Sequence, residues 1–89
     1  MAQFKTFEWA PIHGDGDQYM KFFPNGYGVS IVKHSFSYGN DRGLWELAVL
    51  KGNKDEWDIC YDTPVTNDVI GHLSEAEVDD VVVKVEVLL

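Results

Sequence analysis

Basic residues, cysteines and long apolar runs are all scarce in this chain, and each shortage excludes a class of protein. Only 7 residues are Lys or Arg, against 15 Asp and Glu in a chain of 89 residues. This excludes the basic stripe by which proteins bind nucleic acid directly. The single cysteine, Cys60, excludes an internal disulfide and fits a reducing compartment. Runs such as Val81–Val83 are far too short to span a bilayer, so we expect no membrane partner.

The residues that are present specify one small folded domain. Hydrophobic residues make up 45% of the chain and aromatic residues 13%, a composition that folds because it can bury enough apolar area. No charged leader precedes an apolar run near Met1, so we expect a cytoplasmic protein without a signal peptide. Within residues 1–89 we expect an N-terminal extension that is loosely attached (1–17), a β-sheet (18–62), a turn or loop (63–73) and a helix (74–88).

Alternating apolar residues and turn signals predict the strands. Pro24, Asn25 and Gly26 form a strong turn signal between two of them. The segments that favour strands are Phe4–Trp9, which Pro11 would end, Gln18–Phe23, Tyr27–His34, Leu44–Leu50 and Trp57–Tyr61. In the last segment the alternation predicts that Trp57, Ile59 and Tyr61 point inward and that Asp58, Cys60 and Asp62 point outward.

The C-terminal segment has the signature of a helix. Ser74 and Glu77 have the spacing of a capping box. An apolar stripe at helical spacing follows, formed by Val78, Val81, Val82, Val85 and Leu88/Leu89. The valines also alternate as a strand would, but the capping box favours the helix. We therefore predict an α+β fold: a three- to four-stranded antiparallel meander sheet with one C-terminal amphipathic helix packed on one face.

The net negative charge comes from the last part of the chain. Residues 1–53 contain five acids and five bases, whereas residues 54–89 contain ten acids and two bases, which gives the whole net charge of −8. Such a segregated field repels nucleic acid and favours a basic protein surface. A merely solvated helix face is the simpler interpretation of the acids on the helix. The predicted partner-binding acids are Asp58, Asp62, Asp68, Glu75, Glu77, Asp79 and Asp80.

Catalytic, metal and cofactor sites are not indicated. His13, His34, His72 and Cys60 are scattered without the paired spacing of metal ligands. The loop around His13 lacks the pattern of a calcium-binding loop. Cys60 has no motif that would mark it as a nucleophile. We therefore expect no enzyme, no cofactor and no metal, and a monomer or small homo-oligomer.

Three stretches together resemble a family of small proteins encoded by tailed bacteriophages and prophages. They are residues 23–30 (FPNGYGVS), 43–49 (GLWELAV) and 61–71 (YDTPVTNDVIG), and the resemblance covers roughly residues 22–88. It implies a phage accessory protein acting in the host bacterial cytoplasm, and it carries no catalytic residue over to this chain.

Three hypotheses for the function follow. The first is an inhibitor that docks on a basic surface of a host or defence protein, as an anti-CRISPR protein does, by mimicking nucleic acid with its carboxylates. The alternative is a virion assembly or DNA-metabolism protein held by apolar contacts, with Phe36, Tyr38 and Arg42 as its hot spot. A small hydrolase using Asp62, Asp68 and His72 is a further alternative.

Overall fold

The fold is an antiparallel sheet with one helix on one of its faces. The computed structural model describes residues 3–12, 16–33, 43–60 and 69–88, without the side chains of Pro11 and Ile12. Its elements are a 3-10 helix η1 (Gln3–Thr6), strands β1 (Glu8–Ile12), β2 (Gly16–Phe22), β3 (Tyr27–Lys33), β4 (Trp45–Gly52), β5 (Trp57–Ile59) and β6 (Ile70–Leu73), and helix α1 (Glu75–Glu86).

The strands form a meander in the order β1-β2-β3-β4-β5, and β6 pairs with β4 beside β5. Every pairing is antiparallel. Helix α1 packs on β3, β4, β6 and η1. The predicted α+β class, meander sheet and C-terminal helix are therefore confirmed, although the described residues form six strands where three or four were predicted.

The sequence predicted helix α1 and its start. Ser74 accepts a hydrogen bond from the Glu77 backbone N–H, and the Glu77 carboxylate accepts one from the Ser74 N–H, so the capping box is complete. Val78, Val82 and Val85 are buried against the sheet, and Val81 and Leu88 pack at the edge of this core. The valines tolerate the helix because burial of their branched side chains outweighs their weaker helix propensity.

The N-terminal segment differs from its predicted form. Residues 3–6 form η1 and the strand β1 runs from Glu8 through Pro11, where Phe4–Trp9 was predicted as a strand ended by Pro11. Proline is tolerated here because β1 is the edge strand of the sheet. Phe4 is fully buried and packs edge-on against Tyr19 and Trp45. The described part of the predicted loose extension is thus built into the core.

Strand β5 faces the opposite way from the prediction. Ile59 pairs with Leu50 and Trp57 pairs with Gly52, and this register places Trp57 and Ile59 on the sheet face away from α1. Both are 40% exposed, whereas Cys60, predicted to point outward, is buried in the core. Alternation showed that two faces exist but not which one the helix covers, since this depends on register.

Residues 70–73 form a strand, where residues 63–73 were predicted as a turn or loop. Strand β6 pairs Leu73 with Trp45 and Ile70 with Leu47, with an irregularity between the two pairs. His72 lies in this irregular stretch with a φ of 59°, a conformation that histidine adopts more readily than most residues. The run is short and contains a glycine and a polar residue, so alternation does not reveal it.

The turn between β2 and β3 holds the far end of α1. The Asn25 side-chain amide donates to the carbonyl oxygens of Val85, Glu86 and Leu88 at 2.9–3.1 Å. The Asn25 carbonyl oxygen accepts from the Tyr27 N–H at 3.0 Å. One side chain therefore supplies donors at the end of the helix, where the last carbonyl groups lack the regular helical hydrogen bond.

Candidate interaction surface

The described acids of the C-terminal segment lie at the surface of the molecule. Asp79 is half-buried and the other seven are exposed: Asp55, Glu56, Asp58, Glu75, Glu77, Asp80 and Glu86. They divide into acids that bind groups of the same chain and acids that do not. The division decides which of them are available to a partner.

Glu75 forms an ion pair with η1. The Lys5 Nζ atom lies 2.7 Å from a Glu75 carboxylate oxygen, and both side chains are partly exposed. The hydrogen bond from Lys5 to Glu75 raises the pKa of the Lys5 ammonium above its ordinary value, against a smaller opposing effect of burial. Glu75 is therefore neutralised by a lysine from the first part of the chain, and its charge is only partly available to a partner.

Asp79 holds the first turn of η1. Its two carboxylate oxygens accept hydrogen bonds from the backbone N–H groups of Gln3 at 2.9 Å and Phe4 at 3.0 Å. These N–H groups have no acceptor within a short helix, so the carboxylate caps η1 from a helix 75 residues away. This acid fixes the N-terminal segment over the core.

Glu77 serves the capping box. Its hydrogen bonds with the Ser74 backbone and side chain lower the pKa of the Glu77 carboxyl below its ordinary value. The carboxylate also lies in the first turn of α1, where the helix dipole favours a negative charge. The Glu77 carboxylate keeps its charge, but the capping box fixes the position of its side chain.

Five acids have no hydrogen bond or ion pair through their carboxylates within residues 3–12, 16–33, 43–60 and 69–88: Asp55, Glu56, Asp58, Asp80 and Glu86. Asp58 lies on β5, opposite Lys51 of β4. Asp80 and Glu86 lie on different sides of α1, because residues six apart in a helix do not share a face. The free acids therefore do not form one continuous row of carboxylates.

The outward face of α1 combines charge with apolar surface. Residues spaced by three and four share a helix face, and here these are Ala76, Asp80, Val83 and Val87. Val83 is 53% exposed and Val87 is 68% exposed. We call these four residues the outer row. The apolar stripe predicted from the sequence leaves out Val83 and Val87, and their positions off that stripe agree with their exposure.

Several predicted site residues lie outside the described residues: Asp62, Asp68, Phe36, Tyr38 and Arg42. The apolar hot spot and the two aspartates of the hydrolase hypothesis therefore have no described geometry, and His72, the third residue of that hypothesis, is exposed on β6. In the part of the chain that the structure describes, no three His, Cys, Asp or Glu side chains gather as metal ligands.

The comparisons with known proteins add no relative. No family model matches the chain, and neither a curated protein nor a solved structure matches it. Among the described residues, no helix has the length and apolar content needed to cross a membrane.

Proposed function

We propose that the protein acts by binding, and that the outer row of α1 with the acids around it docks on a basic surface of another protein and blocks it. The resemblance to small bacteriophage proteins supports a host or defence protein of the bacterial cytoplasm as the target. Carboxylates that occupy a nucleic-acid groove would be the means of inhibition.

The observation that carries this proposal is the uncompensated charge. The described part of residues 54–88 has eight acids against Lys54 and Lys84. Among the described residues, Lys5 is the one lysine of the first part of the chain that forms an ion pair with these acids, while Lys54 is turned towards Glu8 at 3.9 Å. Even with Lys5 counted, five negative charges remain. A surface of this sign speeds association with a basic partner and selects against acidic ones.

The outer row supplies the apolar contact that charge alone lacks. Protein interfaces have an apolar centre inside a polar rim. Val83 and Val87 are exposed side by side, with Asp80 one turn before Val83 and Glu86 on the adjoining flank. The valines would give the complex its buried area, and the acids would give it orientation and a fast association rate.

The test is to capture the partner from bacterial lysate at low salt with the tagged chain and then to measure its affinity for variants. Asp80→Lys with Glu86→Lys should weaken binding by at least tenfold, since each change replaces an attraction with a repulsion. Lys84→Glu on the same helix is the matched control and should keep or increase the affinity. Binding to the wild type should also fall steeply with added salt.

Duplex DNA separates mimicry from other modes of docking. If the carboxylates occupy a nucleic-acid groove, DNA should compete with the protein for the captured partner. Binding that ignores salt and the double reversal, but disappears in Val83→Ser, would refute the electrostatic proposal and support assembly through apolar contacts.

A further inference from the structure

The sheet curls so that its face away from α1 is concave. Phe22 of β2 and Trp57 of β5 are in contact on this face, with ring centroids 6.5 Å apart, although β3 and β4 separate their strands. In a flat sheet, strands in these positions would be about 14 Å apart. Glu8 of β1 and Lys54 of the β4–β5 loop, at opposite ends of the strand order, also meet at 3.9 Å. The resulting cleft has a volume of about 550 Å³, which is typical of sites that bind small molecules.

Two aromatic rings form one wall of this cleft. Phe22 pairs with Gly28 of β3, and a methyl group at Gly28 would lie 2.6 Å from a carbon of the Phe22 ring. The glycine therefore lets the ring lie against the sheet. Trp57 stands beside it, with its plane inclined by 44°, and is 40% exposed. Met20 and Ala10 continue the apolar lining. Exposed rings in a concavity offer a stacking surface for a flat aromatic compound.

The described lining of the cleft carries no net charge, on a protein with a net charge of −8. Lys21 pairs with Val29 of the core, so its side chain lies on the other face of the sheet, over the Phe7 ring. The other two charged side chains of the described lining, Glu8 and Lys54, pair with each other at the rim. A charged ligand would therefore meet no unpaired group of opposite sign there, and its lost hydration would not be compensated.

One polar side chain of the lining offers a free acceptor. Gln18 lies two residues before Met20 on the same face of β2, and its side-chain N–H donates to the Ser30 hydroxyl oxygen at 2.9 Å. This hydrogen bond fixes the orientation of the amide. The Gln18 side-chain carbonyl oxygen accepts no hydrogen bond from the described residues. A partly buried acceptor of this kind favours a ligand that brings a donor.

We propose that this cleft binds an uncharged, flat aromatic compound that carries one hydrogen-bond donor, such as a phenol or an indole. The ring system would lie against Trp57 and Phe22, and its O–H or N–H group would donate to the Gln18 carbonyl oxygen. The cleft is on the opposite face of the sheet from α1, so this site is separate from the docking surface around the outer row.

Naphthalene derivatives test the ligand class on the whole chain, by isothermal titration at about 0.15 M salt, which screens the net charge of the protein. The compound 2-naphthol, uncharged and with an O–H donor, should show saturable binding. Its methyl ether, which lacks the donor, should bind about fivefold more weakly, as expected for one hydrogen bond. The anion 2-naphthoate and the cation 2-naphthylmethylammonium should each bind at least tenfold more weakly. Absence of saturable binding by 2-naphthol, or an equal affinity for any of the other three, would overturn the proposal.

Variants locate the ligand. Trp57→Ala should weaken the binding of 2-naphthol at least tenfold, because it removes the stacking surface. Ile59→Ala is the matched control, because Ile59 lies on the same face of β5, is also 40% exposed and does not line the cleft. Gln18→Leu should remove the preference for 2-naphthol over its methyl ether while both compounds still bind. Circular dichroism verifies that each variant is folded. Unchanged affinity in Trp57→Ala, an equal loss in Ile59→Ala, or a preserved preference in Gln18→Leu would refute the assignment to this cleft.

Discussion

Asp79 and Asp80 are neighbouring acids of α1 with different surroundings, and this makes a sharp test of how the molecule is held together. The Asp79 carboxylate accepts two backbone hydrogen bonds from η1, while the carboxylate of Asp80 is exposed and accepts none from the described residues. The replacement of each by alanine removes one carboxylate and improves helix propensity by a similar small amount. The difference between the two variants therefore reports on the contact with η1.

The expected loss follows from the contacts. Hydrogen bonds to a charged group are worth about 1.5–3 kcal/mol each, and partial exposure of this pair reduces their sum to about 2 kcal/mol. An upper limit comes from Phe4, since complete loss of a buried phenylalanine costs about 3–5 kcal/mol. Asp79→Ala should thus lower the free energy of unfolding by about 2 kcal/mol, and Asp80→Ala by no more than about 0.5 kcal/mol.

Urea denaturation measures both variants. With a slope of about 1 kcal/mol per molar urea, the midpoint of Asp79→Ala should fall by about 2 M while that of Asp80→Ala hardly moves. Hydrogen exchange at the Gln3 and Phe4 amides should accelerate in Asp79→Ala alone, because these amides lose their acceptor. Equal midpoints for the two variants would refute the conclusion that Asp79 anchors the N-terminal segment.

Two further predictions concern the ends of α1. Asn25→Ala removes the side-chain donor from three carbonyl groups at the helix end, of which that of Val85 keeps the Leu88 N–H as a partner, and should cost about 1–2 kcal/mol in thermal or urea unfolding; an unchanged stability would show that water replaces the amide. The pKa of Glu77 is lowered in the folded state, so its contribution to stability is complete above the ordinary value of 4.5 and disappears as the pH falls through the lowered pKa. The Glu77→Gln variant should therefore have a lower free energy of unfolding than the wild type at neutral pH, and this difference should shrink as the pH falls below 4.5. A difference that is constant with pH would contradict this.

Local signals predicted the elements that depend on local chemistry. The capping box at Ser74 and the valine stripe specify α1, and the Pro24–Gly26 turn separates β2 from β3, because each works through residues close in sequence. Long-range contacts decided the rest. Nothing near Phe4 indicates that its segment is capped by a carboxylate 75 residues away. Likewise, the inward direction of Cys60 depends on the register of β5 against β4.

The same distinction governs the acidic segment. Composition assigns equal weight to every carboxylate, but the structure assigns Glu75 to an ion pair, Glu77 to a cap and Asp79 to η1. Reversing these three charges together with Asp80 would damage the fold and would abolish binding to any partner, whatever surface the partner contacts. A reversal confined to Asp80 and Glu86 separates docking from folding on this helix, because their carboxylates have no partner among the described residues. If that reversal leaves both stability and binding unchanged, the charge serves solvation, and the docking surface has to be sought elsewhere.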